Sequence, residues 1–412
     1  MDSAAEVSLD DPSPPRGGAL EVFAVALRLG LTSFGGPIAH LGYFERAYVE
    51  RRRWLSAEEY ASLVGLCQLL PGPASSQVGF LIGLRRAGWP GAFAAWLGFT
   101  LPSAILMALF AGLSPHLSGP DAEALFHGLR LVAVAIVAQA VWSMGRKLCP
   151  DVRRTAIALA AASLLLLVAG PLLQLVALAA GAAAGAMLCR AADFPIAAPA
   201  LPVGRRTAWV AAFAFAALLV GLPLAGRVAP HSPVAVMAIF YKAGALVFGG
   251  GHVVLPLLRD ALVPTGWLTD GAFLSGYGAA QAVPGPLFTF AAYLGAELAP
   301  VGSGPGVRAL WSVLALVFLF LPGLLASVAG LRLWGWFGRR AAARGALAGV
   351  NAAVVGVLGA ALYDPIWTSA VLSPRDLAVA VVSFMLLERW RVPPIFIVVS
   401  CIAAALAMAR LH

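Results

Sequence analysis

The chain contains the hexapeptide Gln68-Leu69-Leu70-Pro71-Gly72-Pro73 inside a long apolar stretch, and it repeats the pattern as Gln281-Ala282-Val283-Pro284-Gly285-Pro286. Proline lacks an N–H donor and clashes with the preceding helical turn, whereas glycine adopts positive φ angles easily. Each triplet therefore predicts the end of one half-helix and the start of another, with the second proline at the first helical position. The free N–H groups and dipole of the new half-helix suit an anion.

A glycine-rich break precedes each Pro-Gly-Pro break. Arg28-Leu-Gly-Leu-Thr-Ser33-Phe-Gly35-Gly36-Pro37 recurs as Lys242-Ala-Gly-Ala-Leu-Val-Phe-Gly249-Gly250-Gly251. Both copies thus carry two predicted helix breaks. Transporters built from repeats bind substrate near the bilayer midplane, where such broken helices expose backbone donors inside the protein.

The repeat extends well beyond the breaks. Trp54-Leu55-Ser56 recurs as Trp267-Leu268-Thr269, Leu101-Pro102 as Leu321-Pro322, and the stretch 128–142 resembles 349–363. Order and spacing persist over about 120 positions, which indicates an internal duplication.

The composition excludes a soluble domain. Hydrophobic residues make up 61% of the 412 residues, charged residues 11%, and the mean hydropathy is +0.88. A membrane-spanning helix needs about 20 mostly apolar residues. About thirteen such segments are predicted, at 19–40, 59–84, 89–112, 122–145, 155–169, 171–189, 207–225, 233–256, 271–297, 309–331, 345–363, 374–388 and 393–410.

The predicted fold is an all-α polytopic membrane protein with two six-segment repeats and Pro-Gly-Pro broken helices. A disordered acidic and proline-rich tail (1–18) precedes the first repeat (19–190), and a linker with one transmembrane helix (191–232) leads to the second (233–410). Because six segments plus one place the second copy on the other side of the membrane, the repeats should be inverted.

The loop charges support this orientation with one exception. Basic clusters such as Arg146-Lys147 and Arg339-Arg340 share one face if the segments alternate strictly, and the positive-inside rule makes that face cytoplasmic, together with the N-terminus. The arginines Arg46 and 51–53 would then lie outside. A re-entrant second segment would bring them to the face of Arg85-Arg86, but it would break the parity of the remaining count.

Several classes of function are disfavoured. The net charge of +9 lies in loops beside apolar spans, so nucleic acid is not expected as a partner, and the four cysteines have no metal-ligand spacing. Neither a metal nor another cofactor is predicted. The embedded acids are few, which argues against an intramembrane enzyme and against a cation as the substrate.

The candidate residues for substrate binding and the transport pathway cluster at the breaks. They share a helix-breaking backbone, a hydroxyl, an amide or a positive charge. They are Arg28, Ser33, Gly35, Gly36, Pro37, Gln68, Pro71, Gly72, Pro73, Ser75, Ser76, Gln77, Lys242, Gly249, Gly250, Gly251, Gln281, Pro284, Gly285, Pro286, Thr289 and Asn351.

Some of these residues have plain structural alternatives. Arg28 and Lys242 could neutralise an anion or extend to an interface, and Asn351 could simply pair helices. His40 and His252 could carry a coupling proton or merely pack. The motifs 181–185 and 345–349, each with glycine at both ends, predict close helix packing.

The motifs as a set resemble the chromate ion transporter superfamily in its long, two-domain form. The resemblance rests on 33–37, Glu45-Arg46, 52–55, 70–73 and 85–89 with their second-copy partners, and covers nearly all of 20–410. It implies a multi-pass protein of the bacterial inner membrane that exports chromate, a dianion shaped like sulfate, using the membrane potential or the proton gradient. The second copy departs from the pattern, because the loop 259–266 lacks the basic cluster of 51–53.

The interpretation is a secondary transporter of chromate or sulfate-like oxyanions, embedded in the lipid bilayer, for which a homodimer is conceivable. The alternatives are a sulfate or other anion carrier or channel and, less favoured, an intramembrane enzyme. Because the first copy holds more polar residues, the site should lie closer to it.

Overall fold

The computed structural model describes residues 17–34, 36–168, 173–189, 201–228 and 232–410, and these contain helices and no strand. Residues 1–16 of the predicted tail, Gly35, and 191–200 and 229–231 of the predicted linker lie outside the described residues. The helices of the first half are α1 (Ala19–Thr32), α2 (Gly36–Phe44), α3 (Ala57–Leu69), α4 (Ala74–Leu113), α5 (Pro120–Leu148), α6 (Val152–Leu167) and α7 (Leu173–Leu188).

One helix, α8 (Arg205–Val228), connects the halves. The second half contains α9 (Pro233–Leu246), α10 (Val254–Leu262), α11 (Asp270–Ala280), α12 (Phe290–Glu297), α13 (Pro305–Arg339), α14 (Ala341–Ala361), α15 (Thr368–Ala370), α16 (Pro374–Glu388) and α17 (Pro394–Arg410). Short 3-10 or π-helical segments lie at Glu45–Arg51, Ser114–His116, Gly251–Val253, Leu287–Thr289 and Leu362–Trp367.

The repeated Trp-Leu-Ser/Thr motif begins a helix in both halves. The Ser56 side chain accepts a hydrogen bond from the N–H of Glu59 at the start of α3, and Thr269 accepts one from Ala272 at the start of α11. A hydroxyl in this position satisfies one of the N–H groups that a helix start leaves free. The motif therefore supplies the N-cap of a helix in both halves.

The first two apolar segments fold back on themselves. Arg85, near the middle of α4, donates hydrogen bonds to the carbonyl of Trp54 (2.6 Å) and to Glu59 (2.5 Å), just before and at the start of α3. Arg86 pairs with Glu21 of α1 at 3.1 Å and lies over the Trp54 ring. The start of α1, the end of the α2 region, the start of α3 and this part of α4 therefore meet at one end of the molecule, which we call the first-half face.

A sharp turn in α4 makes this return possible. Ala87 and Gly88 have non-helical backbone angles, with Gly88 at φ +66. A Cβ added to Gly83 would lie 2.3 Å from the carbonyl oxygen of Gly91, so the two arms of α4 touch through their backbones. Two helical arms this close require glycine on both sides.

The second half repeats the arrangement at the opposite end. Arg259 at the end of α10 pairs with Asp270 at the start of α11 (3.0 Å), and Glu297 at the end of α12 pairs with Arg308 at the start of α13 (3.3 Å). Arg308 also donates to the carbonyl of Ala111, near the end of α4. Because α4 runs from Gly88 at the first-half face to this point, Glu297 and Arg308 lie at the other end of the molecule, which we call the second-half face.

These contacts alter the predicted layout of spans. Five helical stretches among the described residues are long and apolar enough to cross a membrane: Ala74–His116, Pro120–Leu148, Arg205–Val228, Pro305–Arg332 and Ala341–Ala370. The predicted segments 59–84 and 271–297 are hairpins with a break at their tip, and 19–40 and 233–256 each contain the first arm and the tip of a hairpin whose second arm is α2 or α10. Thirteen straight spans are therefore not confirmed.

The two halves interlock through helices with small residues. A Cβ added to Gly349 would lie 2.0 Å from the carbonyl oxygen of Gly181, and one added to Gly185 would lie 2.3 Å from that of Gly345. The predicted small-residue motifs 181–185 and 345–349 thus pack against each other, in α7 and α14. Glycine at each crossing allows the backbones to touch.

Candidate functional site

The tips of the four hairpins bond to each other in two reciprocal pairs. The N–H of Gly72 donates to the carbonyl of Val247 at 2.8 Å, and the N–H of Gly285 donates to the carbonyl of Ser33 at 2.8 Å. Ser33 and Val247 occupy equivalent positions of the two copies, two residues before the first glycine of each glycine-rich break. Each Pro-Gly-Pro break is therefore hydrogen-bonded to the segment of the glycine-rich break in the other half.

Both central glycines are required by their backbone and by their neighbours. Gly72 has φ +112 and Gly285 has φ +98, a region that other residues rarely adopt. A Cβ on Gly72 would lie 2.7 Å from the Cα of Gly323, and one on Gly285 would lie 2.8 Å from the Oγ of Ser103. Gly323 and Ser103 follow the repeated Leu-Pro pair, so these close approaches are equivalent as well.

Polar side chains are buried around the tip that carries Ser33. Ser33 is 0% exposed, and His40, Thr100 and Ser103 are each 1% exposed. The His40 ring packs edge-on against Phe99, which precedes Thr100 (centroids 5.3 Å apart), and Ser103 donates to the carbonyl of Thr100 at 3.1 Å. We call these four residues the polar pocket.

Sequence reasoning missed two members of the polar pocket. Thr100 and Ser103 flank Leu101-Pro102, a pair whose repetition indicates the duplication but does not by itself indicate a binding site. Their position just beside a proline conserved between the two copies of the chain was the available signal.

The predicted donor Gln77 has a structural role. Its side-chain nitrogen donates to the carbonyls of Pro71 and Gly323, both at 2.8 Å, so that it fastens the Pro-Gly-Pro break to α13. Both amide N–H groups are thereby used, and the group that remains is an acceptor. Gln77 therefore has no N–H available for an anion, whereas the neighbouring Ser75 and Ser76 are buried and Ser76 Oγ has no hydrogen-bond partner in the described part of the chain.

The equivalent break of the second half presents a different set of polar groups. The Thr289 hydroxyl donates to the carbonyl of Pro286 at 2.8 Å, which uses its proton. The Gln281 side-chain nitrogen is buried without a hydrogen-bond partner among the described residues. His252 bonds through Nδ1 to the hydroxyl of Tyr277 at 2.6 Å, and a Cβ on Gly249 would lie 3.4 Å from Oδ1 of Asn351.

Other candidates lie away from this cluster. Arg28 and Gln68 are exposed, and Lys242 is half-buried in α9. Gly36 begins α2 with φ +79 and open space around its Cα, and Pro37 follows it. In the second half, Gly250 precedes the 3-10 turn before α10, and Gly251 is the first residue of that turn. The structure thus brings together Ser33, His40 and the break 284–286, and the break 71–73 and Val247, but no contact among the described residues places Arg28 with them.

The sequence of the chain matches the model of the chromate transporter family twice, over residues 20–187 and 234–408. The chain belongs to the chromate transporter family. The two matches fall on either side of α8, as the predicted division into repeats does, and each includes one glycine-rich break and one Pro-Gly-Pro break.

Relatives of this chromate transporter family member cover most of its length. It is 30% identical over 370 residues to the chromate transport protein of Pseudomonas aeruginosa, covering 88% of this chain and 84% of that one. It is 26% identical to the chromate transport protein of Cupriavidus metallidurans (94% and 92% covered) and 27% identical to a probable chromate transport protein of Synechococcus elongatus (93% and 94% covered). No solved structure matches the chain.

Family membership and the apolar helices together make the chain a multi-pass membrane protein and an ion transporter, and they favour transport over enzymatic activity.

Proposed function

We propose that the chain is a secondary transporter that exports chromate or related tetrahedral oxyanions across the plasma membrane. The observation that carries this proposal is the reciprocal pairing of helix breaks, Gly72 with Val247 and Gly285 with Ser33. Broken helices that meet inside the protein place backbone donors and short polar side chains where a charged substrate can leave water. The relatives named for chromate transport suggest the substrate.

The proposed architecture is a pair of inverted repeats with re-entrant hairpins. Hairpins of the first half begin and end at the first-half face, those of the second half at the second-half face, and their tips meet between the two. Two hairpins leave the chain on the face where it started, as two spans also do. Every later segment therefore crosses the membrane in the same direction in both layouts. The arginines Arg46 and 51–53 then lie on the same face as Arg85 and Arg86, and every large basic cluster falls on one side.

The positive-inside rule makes this first-half face cytoplasmic, with the N-terminus inside and the C-terminus outside. The contact between Arg410 and Asp121 (3.7 Å) supports this arrangement, since Asp121 begins α5 at the second-half face. The first half then closes the site toward the cytoplasm, and the second half closes it toward the exterior. This arrangement is suited to alternating access.

Transport can be tested with purified protein in liposomes and labelled chromate. We expect uptake that depends on an imposed membrane potential or pH gradient, and that excess sulfate reduces. The matched control is a variant with alanine at Pro71, Gly72 and Pro73, which should insert but not transport. Equal flux in empty liposomes and in liposomes with the wild-type protein would refute the proposal.

The same preparation separates a coupled carrier from a channel. A carrier coupled to protons loses accumulation when a protonophore is added while a potassium diffusion potential is held. An anion channel follows the imposed potential alone and shows no dependence on pH gradient.

A further inference from the structure

The polar pocket contains polar atoms that the protein does not satisfy. Within the described residues, Ser33 Oγ and Thr100 Oγ1 are buried without a hydrogen-bond partner, and the His40 ring nitrogens, which lie beside the backbone of Ser33, form no hydrogen bond of normal geometry. Most buried polar side-chain atoms in proteins have at least one partner, because an unpaired one costs free energy. Two neighbouring hydroxyl groups in this condition require an explanation.

The backbone of the polar pocket is held tightly, while the hydroxyl groups of Ser33 and Thr100 are left without a partner among the described residues. α1 crosses α4 where a Cβ on Gly30 would lie 2.7 Å from the carbonyl oxygen of Phe99, and Ser33 receives the N–H of Gly285. His40 packs on Phe99 from the next helix, α2. The protein therefore fixes the positions of Ser33 and Thr100 without using their hydroxyl groups.

The second half shows that the fold itself does not need these groups. By the repeat alignment, Ser33 corresponds to Val247, His40 to Val254, Thr100 to Phe320 and Ser103 to Gly323. Val247, Val254 and Phe320 are each 0% exposed and belong to an apolar core. The same backbone arrangement is thus built once with polar side chains and once with apolar ones.

We propose that the polar pocket binds the transported oxyanion, with Ser33, Thr100 and His40 as direct hydrogen-bond donors. This inference rests on the proposed function and assigns its substrate site to the first half, with Thr100 as a residue of the site that the sequence motifs did not identify. Hydroxyl and neutral imidazole groups each supply one donor, and hydrogen bonds to an ionised acceptor are stronger than those between neutral groups. Neutral donors hold a tetrahedral dianion without a fixed counter-charge, which favours its release.

Ser103 has a positioning role in this site. Its hydroxyl proton is used on the carbonyl of Thr100, and its Oγ occupies the space beside Gly285. It therefore aligns α4 with the opposing Pro-Gly-Pro break and does not touch the anion.

Binding of chromate and sulfate to the purified full chain tests the assignment. Calorimetric titration is carried out with wild type, Ser33→Ala, Thr100→Val and Thr100→Ser, after size-exclusion chromatography and thermal unfolding establish that each variant is folded. Loss of one donor to an anion should raise Kd by about tenfold or more. Thr100→Ser, which keeps the hydroxyl, should bind like wild type.

Ser312→Ala is the matched control for loss of a buried hydroxyl. Ser312 is 4% exposed in α13, and its hydroxyl donates to the carbonyl of Ala292, away from the polar pocket. This variant should lose stability but keep the wild-type Kd. Thr100→Ala, which removes the hydroxyl without adding volume, should raise Kd as Thr100→Val does.

The outcomes distinguish an error in the assigned binding site from an error in the proposed function. Wild-type binding and transport with an unchanged Kd in Ser33→Ala and in Thr100→Val or Thr100→Ala would overturn the pocket and leave the proposed function intact. Absence of oxyanion binding and transport by the wild type would overturn both. If Thr100→Val does not fold, Ser33→Ala and the comparison of Thr100→Ala with Thr100→Ser decide.

Discussion

At the scale of single residues, positive φ angles and close backbone approach act together at Gly72. The added Cβ in Gly72→Ala would strain a φ of +112 and approach the Cα of Gly323 to 2.7 Å. Strain of this kind costs about 1–3 kcal/mol, and the clash adds to it. We expect Gly72→Ala to lower the apparent Tm in detergent and to abolish chromate uptake.

Gly266→Ala separates these two contributions. Gly266 also has a positive φ, +78, but a Cβ there meets nothing within 4 Å. This control should show the loss of stability from backbone strain alone and keep transport. Equal effects of the two substitutions would contradict a role for close approach at the tip.

Gln77 provides a second prediction at this scale. Gln77→Leu removes the two hydrogen bonds by which Gln77 joins Pro71 to Gly323 of α13, and a typical intramolecular hydrogen bond contributes about 0.5–1.5 kcal/mol. We expect a clear fall in the apparent Tm together with slower transport. Thr289→Val, which removes a hydroxyl bonded only within its own turn, should have a smaller effect. A larger loss in Thr289→Val would show that the link from the break to α13 is unimportant.

At the scale of helices, the contact between α7 and α14 depends on glycine. Gly349→Leu places a side chain where its Cβ already lies 2.0 Å from the carbonyl oxygen of Gly181, so the two helices must separate. We expect lower yield of folded protein and a lower apparent Tm. Gly359→Leu is the control in the same helix, since a Cβ at Gly359 meets nothing within 4 Å. Normal behaviour of Gly349→Leu would contradict the packing.

The helix scale also shows what sequence could and could not predict. Helix breaks at 71–73 and 284–286, caps at Ser56 and Thr269 and small-residue packing are local or periodic signals, and the sequence predicted the breaks and the packing. Whether a broken segment spans or folds back depends on contacts such as Arg85 with Trp54, which no local pattern specifies. The role of Gln77 and the presence of Thr100 in the site likewise depend on which helices cross.

At the scale of the whole molecule, two layouts of the chain can be compared, one with re-entrant hairpins and one with strictly alternating spans. They place each of two loops on a different side of the membrane. With hairpins, Ser56 before α3 is cytoplasmic and Thr265 between α10 and α11 is outside. With thirteen alternating spans, Ser56 is outside and Thr265 is cytoplasmic. Both positions are exposed, so a cysteine at either one can react.

Labelling of intact cells by a membrane-impermeant maleimide distinguishes these layouts. In a background without Cys67, Cys149, Cys189 and Cys401, we expect Thr265→Cys to react in intact cells and Ser56→Cys to react only after permeabilisation. Ser118→Cys, before α5, and Lys147→Cys, at its end, are controls for the outer and inner faces in both layouts. The reverse pattern at Ser56 and Thr265, with both controls behaving normally, would restore the alternating spans and remove the structural basis of the paired breaks, because hairpin tips that enter from opposite faces could then no longer meet.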